Sequence, residues 1–292
     1  MELLIQQIVA GVATGSIYAC VALAIVMIYR SIGHVNFAQG EMAMFSTFVA
    51  WQLIQLGISY WAAFALTVTI SFFAGVVIQR ALMQRIQDAA ELNQIIVFIG
   101  LLLVFNSLAG FVWDFTVKPF PSPFGVAPLL GSSLISSHQA GVIAVVVLVL
   151  FLFFLFFRFT RTGLAMRAAV NNGSSAKLLG IRVKALEALG WGLAASVGAI
   201  AGMLVAPVVF LEPNMMAGIV IYGFAGAILG GLNSLPGALI GGVLIGVLEN
   251  LVSAFVPVVG GELKSTIALA TIVVVLLVRP QGLLGNRISQ RV

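Results

Sequence analysis

The sequence predicts an all-α fold, a polytopic bundle of eight or nine transmembrane helices with the N-terminus outside and the C-terminus cytoplasmic. Three observations predict it. Of 292 residues, 61% are hydrophobic and only 8% are charged, against about 25% charged in an ordinary soluble domain. The apolar residues fall in runs close to the roughly 20 residues that a helix needs to cross a bilayer. Those runs lack the in–out alternation of membrane strands. With a mean hydropathy of +1.17, the chain has too few polar side chains to clothe a soluble sphere. A soluble enzyme and a disordered chain are both excluded.

Taken in order, the expected spans are 3–29, 37–57, 61–79, 94–113, 141–157, 186–207, 217–231, 238–256 and 264–278. Met1 and Glu2 precede the first run, with no basic stretch, so that run is expected to be a retained helix, not a cleaved signal. The second span follows a polar, glycine-containing run, Gly33 to Glu41, which reads as a helix break near the cytoplasmic third of the membrane. The connection 114–140 carries Pro119, Pro121, Pro123 and Pro128 and is expected to be structured but not helical. Gly141 to Phe157 is the clearest span, with no charged or strongly polar side chain. The seventh is short and glycine-rich, so a re-entrant or broken segment is its alternative. The whole chain, 1–292, reads as one transmembrane domain.

Charge sets the orientation. With the loops near 30–36, 79–93, 158–185 and 232–237 and the C-terminal tail on one side, twelve basic residues gather there: Arg30, Arg80, Arg85, Arg158, Arg161, Arg167, Lys177, Arg182, Lys184, Arg279, Arg287 and Arg291. Only Lys118 and Lys264 fall on the other side. Basic residues collect on the cytoplasmic side of membrane proteins. The N-terminus is then outside and the C-terminus inside, which requires an odd number of crossings, and nine fits.

Segment 158–185 is the one long polar stretch between spans, and it holds six of the fourteen basic residues. Asn171, Asn172 and Gly173 form a turn signal. Ser174 or Ser175 is expected to cap a short helix ending near Gly180. Leu178, Leu179 and Ile181 give it a small apolar face. A loop that only sets topology or touches headgroups needs neither this order nor that face, so a docking helix for a cytoplasmic partner is favoured.

Polar chemistry inside the apolar runs is sparse. One cysteine, Cys20, allows no intrachain disulfide or cysteine metal cluster. His34 and His138 are far apart, so no metal site or cofactor is expected. Glycines four apart (Gly11 and Gly15, Gly198 and Gly202, Gly226 and Gly230, Gly237 and Gly241, Gly242 and Gly246) suit close helix packing in lipid. Intramembrane acids are costly and usually functional. The two candidates, Glu41 and Glu249, have no Lys, Arg or His partner evident in sequence. Gly242, Gly246, Glu249 and Asn250 share a helix face, which aims that carboxylate into protein or a water-filled path. Structural and pathway roles both stay open for Glu41. No GK[ST] phosphate loop, HExxH or GxSxG occurs, so the chain is read as no enzyme and has no motor of its own. A proton- or sodium-driven carrier usually shows more buried acids. A transporter driven by a separate subunit is the simplest reading.

GSIYACVALAIVMIYRSIGHVNFAQGEMAMF (Gly15–Phe45) resembles the N-terminal signature of LivH-type permeases of branched-chain amino-acid ABC importers. RTGLAMRAAVNNGSSAKLLGIRV (Arg161–Val183) is similar to the family's cytoplasmic loop. AILGGLNSLPGALIGGVLIGVLEN (Ala227–Asn250) and RPQGLLG (Arg279–Gly285) resemble its two C-terminal motifs. Gln39 stands where the family has His, Cys20 where Leu is common, and Leu284 where it has Phe.

The resemblance implies a permease subunit in the bacterial inner membrane, translocating branched-chain or related amino acids, or urea, amides or aromatic acids. It implies a second, LivM-like permease, two cytoplasmic ATPase subunits and a periplasmic binding protein as partners. Arg167, Asn171, Ala176, Leu179 and Gly180 are then candidates for the ATPase contact. Asn36, Gln39, Glu41, Glu249 and Asn250 are candidates for the pathway. The competing expectation is a stand-alone channel or ion-coupled carrier using Glu41 or Glu249.

Overall fold

A computed structural model describes residues 2–87, 89–125, 127–128, 134–256 and 264–285. The tail arginines Arg287 and Arg291, which entered the charge count, lie outside these residues. Each expected span is helical. The helices are α1 (Glu2–Ile32), α2 (Gln39–Gln55), α3 (Tyr60–Ile78), α4 (Gln84–Ile86), α5 (Glu91–Trp113) and α6 (Ser137–Phe159). There follow α7 (Arg161–Asn171), α8 (Gly173–Leu178), α9 (Val183–Val209), α10 (Met216–Gly230), α11 (Leu235–Phe255) and α12 (Lys264–Val278). A π-helical turn, Gln79–Met83, joins α3 to α4. Among the described residues there is no strand, only isolated bridges between Lys118 and Leu211 and between Pro128 and Ser136.

Six helices among the described residues are long and apolar enough to cross a membrane: α1, α3 with its continuation, α5, α6, α9 and α11. The all-α, multi-pass bundle is therefore borne out. α10 is one unbroken helix of 15 residues, so the break entertained for 217–231 does not occur. At 1.5 Å per residue it is about 22 Å long, short of a full hydrocarbon core.

Burial separates centre from periphery. The most apolar stretch of α1 is 89% buried and that of α9 is 78% buried, whereas those of α5 and α6 are each 22% buried. Lipid is as apolar as leucine, so hydrophobicity alone does not sort helices inward. Small residues do, by letting backbones approach. α9 carries Ala194, Ala195, Gly198, Ala199, Ala201 and Gly202, all buried. The outer helices show Phe111, Phe151, Phe154 and Leu103 to their surroundings instead.

The glycine pairs act as the spacing predicts. A Cβ on Gly242 would overlap the backbone of Ala19, and one on Gly246 the backbone of Gly15. One on Gly15 would come within 2.7 Å of the Val243 carbonyl, and one on Gly226 within 2.7 Å of Gly242 Cα. Helices α1, α10 and α11 therefore meet backbone to backbone. The C-terminal RPQGLLG run closes this unit. Leu283 and Leu284 donate backbone hydrogen bonds to the Leu229 and Gly230 carbonyls at 2.7 and 3.0 Å. Gly231, at φ +107°, has the backbone of Gln281 and Gly285 against the place of its missing side chain.

Segment 158–185 is more helical than expected. Thr160 Oγ1 accepts from the Gly163 amide at 2.9 Å and starts α7, a stretch rich in good helix formers. The cap of α8 is neither Ser174 nor Ser175. Asn172 Oδ1 accepts from the Ser175 amide at 2.9 Å, because a residue just before the first turn reaches that orphan donor and one inside it does not. Gly180, at φ +79°, ends the helix with Ile181 donating to the Ala176 carbonyl at 3.0 Å, the glycine-stopped geometry expected there.

Replacing Gly246 or Gly15 by Val is expected to cost at least the roughly 1–3 kcal/mol of a typical overpacked site, since the obstructing atoms are backbone. Gly100→Ala, whose new Cβ meets nothing within 4 Å, is expected to be neutral. Thermal midpoints of the purified variants in detergent check this, and equal midpoints would contradict the close-packed seam.

Candidate functional site

Among the described residues, three polar clusters hold the candidate side chains. The first grows from the break between α1 and α2. Gly33, at φ +77°, turns the chain out of α1, and Asn36 restarts it. Asn36 Oδ1 accepts from the Ala38 amide at 3.0 Å, and its Nδ2 points at Met42 Sδ at 3.7 Å. Gln39 Nε2 donates to the Ala194 carbonyl at 3.1 Å. Gly198 leaves the space that the Gln39 amide fills. The first turn of α2 therefore abuts the interior of α9, not its end. Asn36 and Gln39 are both 1% exposed; they hold the break in place and do not line an opening.

Glu41, one turn further on, does line one. It borders an open pocket of about 460 Å³ with Phe37, Leu102, Leu103, Asn106, Asn214 and Val220 around it. Asn106 organises the polar edge. Its Nδ2 donates to Glu41 Oε2 at 3.4 Å, to the Pro213 carbonyl at 2.9 Å and to Asn214 Oδ1 at 3.1 Å. A carboxylate and two side-chain amides thus face a wall of leucine, valine and phenylalanine. That combination suits a small zwitterion with an apolar side chain: the carboxylate attracts an ammonium, and the amides give direction.

The second cluster lies where α1, α10 and α11 meet. Tyr18 Oη donates to Glu249 Oε2 at 2.7 Å, and the Tyr18 and Tyr222 rings stack at 4.8 Å. The tyrosine hydroxyl supplies the partner that the sequence did not reveal. Asn250 donates to the Gly246 carbonyl of its own helix at 2.9 Å. Neither residue borders the Glu41 pocket.

The third cluster is the α7–α8 pair with the start of α9. Met166 and Ala176 are buried and seat the pair on the bundle. Leu178 and Leu179 point the other way, 90% and 80% exposed. Arg167 turns inward and lines hollows with Arg30. Asn171 closes α7; its side chain lies outside the described residues. Close by, Glu187 accepts from Gln87 Nε2 at 2.8 Å and from Gln79 Nε2 at 3.4 Å. The π-turn brings Gln79 to that carboxylate.

The five pathway candidates therefore divide: Glu41 at a pocket, Asn36 and Gln39 behind it, Glu249 and Asn250 in the second cluster. Asn106, Asn214, Tyr18 and Glu187 were not anticipated. Asn106 had one signal, since it and Ser107 alone are polar within 95–113.

Residues 7–276 match the sequence family described as branched-chain amino acid transport system / permease component. The chain belongs to this family. It is 32% identical to the high-affinity branched-chain amino acid transport system permease protein LivH of Escherichia coli and to that of Salmonella typhimurium, over 97% of this chain and 96% of each relative. Identity to the corresponding permease protein BraD of Pseudomonas aeruginosa is also 32%, with the same coverage. Among solved structures, a chain of PsaBC from Streptococcus pneumoniae in complex with Fab has the same fold. Its TM-score is 0.51 at 14% identity, over 93% of this chain and 91% of that one.

Within this permease family member, Tyr18→Phe removes only the hydroxyl that serves Glu249. The substitution leaves a buried acceptor with one donor fewer, and a loss of about 1–3 kcal/mol is expected. Tyr222→Phe keeps the ring stack and the Tyr18–Glu249 bond but gives up the hydroxyl bonded to Ser265, so it measures that separate contribution. Detergent-solubilised thermal unfolding measures both, and an unchanged midpoint for Tyr18→Phe would count against the bond.

Proposed function

We propose that this permease is the membrane-spanning subunit of an ABC importer for branched-chain or chemically related amino acids. It crosses a bacterial inner membrane nine times, with the N-terminus outside. A second, LivM-like permease completes the pathway, two cytoplasmic ATPase subunits supply the work, and a periplasmic binding protein delivers the solute. Relatives named for branched-chain amino acid transport support the substrate class. The twelve-to-two distribution of basic residues supports the orientation.

The observation that carries this reading is the pair Leu178 and Leu179, 90% and 80% exposed on a capped, glycine-terminated helix among six basic residues. Two leucines held in water on a six-residue helix have no stabilising role within this chain. They suit an apolar cleft on a cytoplasmic partner. In this reading segment 158–185 is the coupling element. Leu179 enters the ATPase, Ala176 and Arg167 anchor the element to the bundle, and Asn171 and Gly180 set its bends. ATP binding displaces the element, and the bundle shifts between outward- and inward-open states according to which one the ATPase subunits stabilise.

The Glu41 pocket is the chain's wall of the pathway. Glu41 receives the solute ammonium while Leu102, Leu103 and Val220 offer the apolar side chain its surface. Asn36 and Gln39 position Glu41. Glu249 and Asn250 serve the packing of the moving helices.

Leu178→Asp with Leu179→Asp is expected to leave membrane insertion intact and to abolish uptake in vesicles containing all subunits, with ATP hydrolysis no longer stimulated by loaded binding protein. Normal uptake would overturn the coupling role. Glu41→Gln is expected to lower uptake at least tenfold while that stimulation of ATP hydrolysis persists. Vesicles holding this chain alone are expected to move no solute. Flux without ATPase subunits would favour a stand-alone channel or ion-coupled carrier instead.

A further inference from the structure

We propose that the hollow between α6 and α11, floored by α1, binds an anionic phospholipid of the cytoplasmic leaflet. Arg30, Arg158 and Arg167 hold the phosphate, and the apolar wall holds an acyl chain. The leaflet assignment rests on the orientation argued under the proposed function.

The three guanidiniums come from three different elements: the last turn of α1, the last turn of α6, and the middle of α7. All three border one hollow of about 260 Å³. Among the described residues, none of them makes an ion pair or hydrogen bond, and the Arg167 Nε is buried with no partner at all. Arg30 and Arg167 are close enough to repel each other. No carboxylate lines the hollow. Glu187 is the nearest acid, bordering the neighbouring hollow beside Arg30, but its carboxylate is turned to Gln87 and Gln79 and does not line this one. Three like charges that line one hollow beside apolar surface, with no carboxylate among its lining residues, make a receptor for an anion. The planar guanidinium matches phosphate oxygens in particular.

The remaining wall decides which anion. It is made of Phe153 and Phe154 of α6 and Leu239 of α11, a surface with no use for a free inorganic ion. α6 packs on α1 and α7 but makes at most marginal contact with α11, which leaves a groove along its flank. Phe154 is 59% exposed, and the apolar stretch of the helix carrying it is only 22% buried within this chain. A phosphate beside an open apolar groove at the cytoplasmic end of a membrane helix is where an anionic lipid sits. Arg30 belongs to α1 and Arg167 to α7, so the bound headgroup ties the coupling segment to the central helix. The lipid therefore becomes part of the route by which movement of α7–α8 reaches the bundle.

Native mass spectrometry of the purified full-length chain, titrated with phosphatidylglycerol and separately with phosphatidylcholine, tests this. One tightly retained phosphatidylglycerol and no retained phosphatidylcholine is expected. Equal retention of the two lipids would overturn the site, and this comparison needs no variant. Arg30→Gln, Arg158→Gln and Arg167→Gln are each expected to weaken phosphatidylglycerol binding about fivefold, with Arg80→Gln and Arg85→Gln without effect. The opposite pattern would overturn the assignment to this hollow. Inorganic phosphate is expected not to displace the lipid at millimolar concentration; displacement would make the site one for a free anion and overturn the lipid assignment. Labelling of Arg158→Cys in intact cells by a membrane-impermeant maleimide separates the two layers of the inference. Labelling from outside would overturn the orientation and the inner leaflet together. Inside-only labelling with no lipid preference would overturn the site and leave the orientation standing.

Discussion

The bundle depends on helix backbones touching with no side chain between them. In a bilayer, transfer of apolar surface from one helix neighbour to another gains little, because lipid tails solvate leucine as well as a protein does. Dispersion between closely fitted surfaces has to hold the helices instead, and it falls off steeply with any gap. Glycines at 11, 15, 226, 242 and 246 bring α1, α10 and α11 to that distance. The rest is arranged around this seam. α9 joins it through a second run of alanine and glycine, and α5 and α6 remain at the periphery with their phenylalanines exposed.

A tightly packed centre permits the one irregularity that the functional reading requires. Non-helical backbone at membrane depth survives only where other protein groups satisfy it. Between α1 and α2 that work falls to Asn36, which bonds the Ala38 amide, and to Gln39, anchored on the Ala194 carbonyl. With those two side chains buried in the packing, Glu41 is left facing an open pocket beside Asn106 and Asn214. Neighbours in sequence thus have different physical roles, and their polarity alone does not distinguish them.

The α7–α8 pair has a comparable division of labour. Leucines 178 and 179 are turned out, while Met166, Ala176 and Arg167 are turned in. This pair of short helices, capped by Thr160 and Asn172 and ended at Gly180, holds these faces apart. Its inward arginine is also the group through which a lipid phosphate would join it to α1.

Hydropathy and charge alone determined that this chain is a helical membrane protein, where its apolar helices run and in which loops the basic residues gather, but not α4 or α7. The four-residue glycine spacing announced close packing, and the turn-and-glycine order announced a helix near 174–180. These are local properties, sums or periods over a few turns, and so they are legible one segment at a time. The tertiary structure decided which polar groups meet. Asn106 reaches Glu41 across 65 residues and Tyr18 reaches Glu249 across 231, and no local pattern encodes either pairing. The inward turn of Arg167 was equally hidden, because a helix face acquires an inside only when a neighbour packs against it. Even the cap of α8 went to Asn172 and not to the serines after it, since the first free amide is served by whichever side chain the folded turn brings within reach.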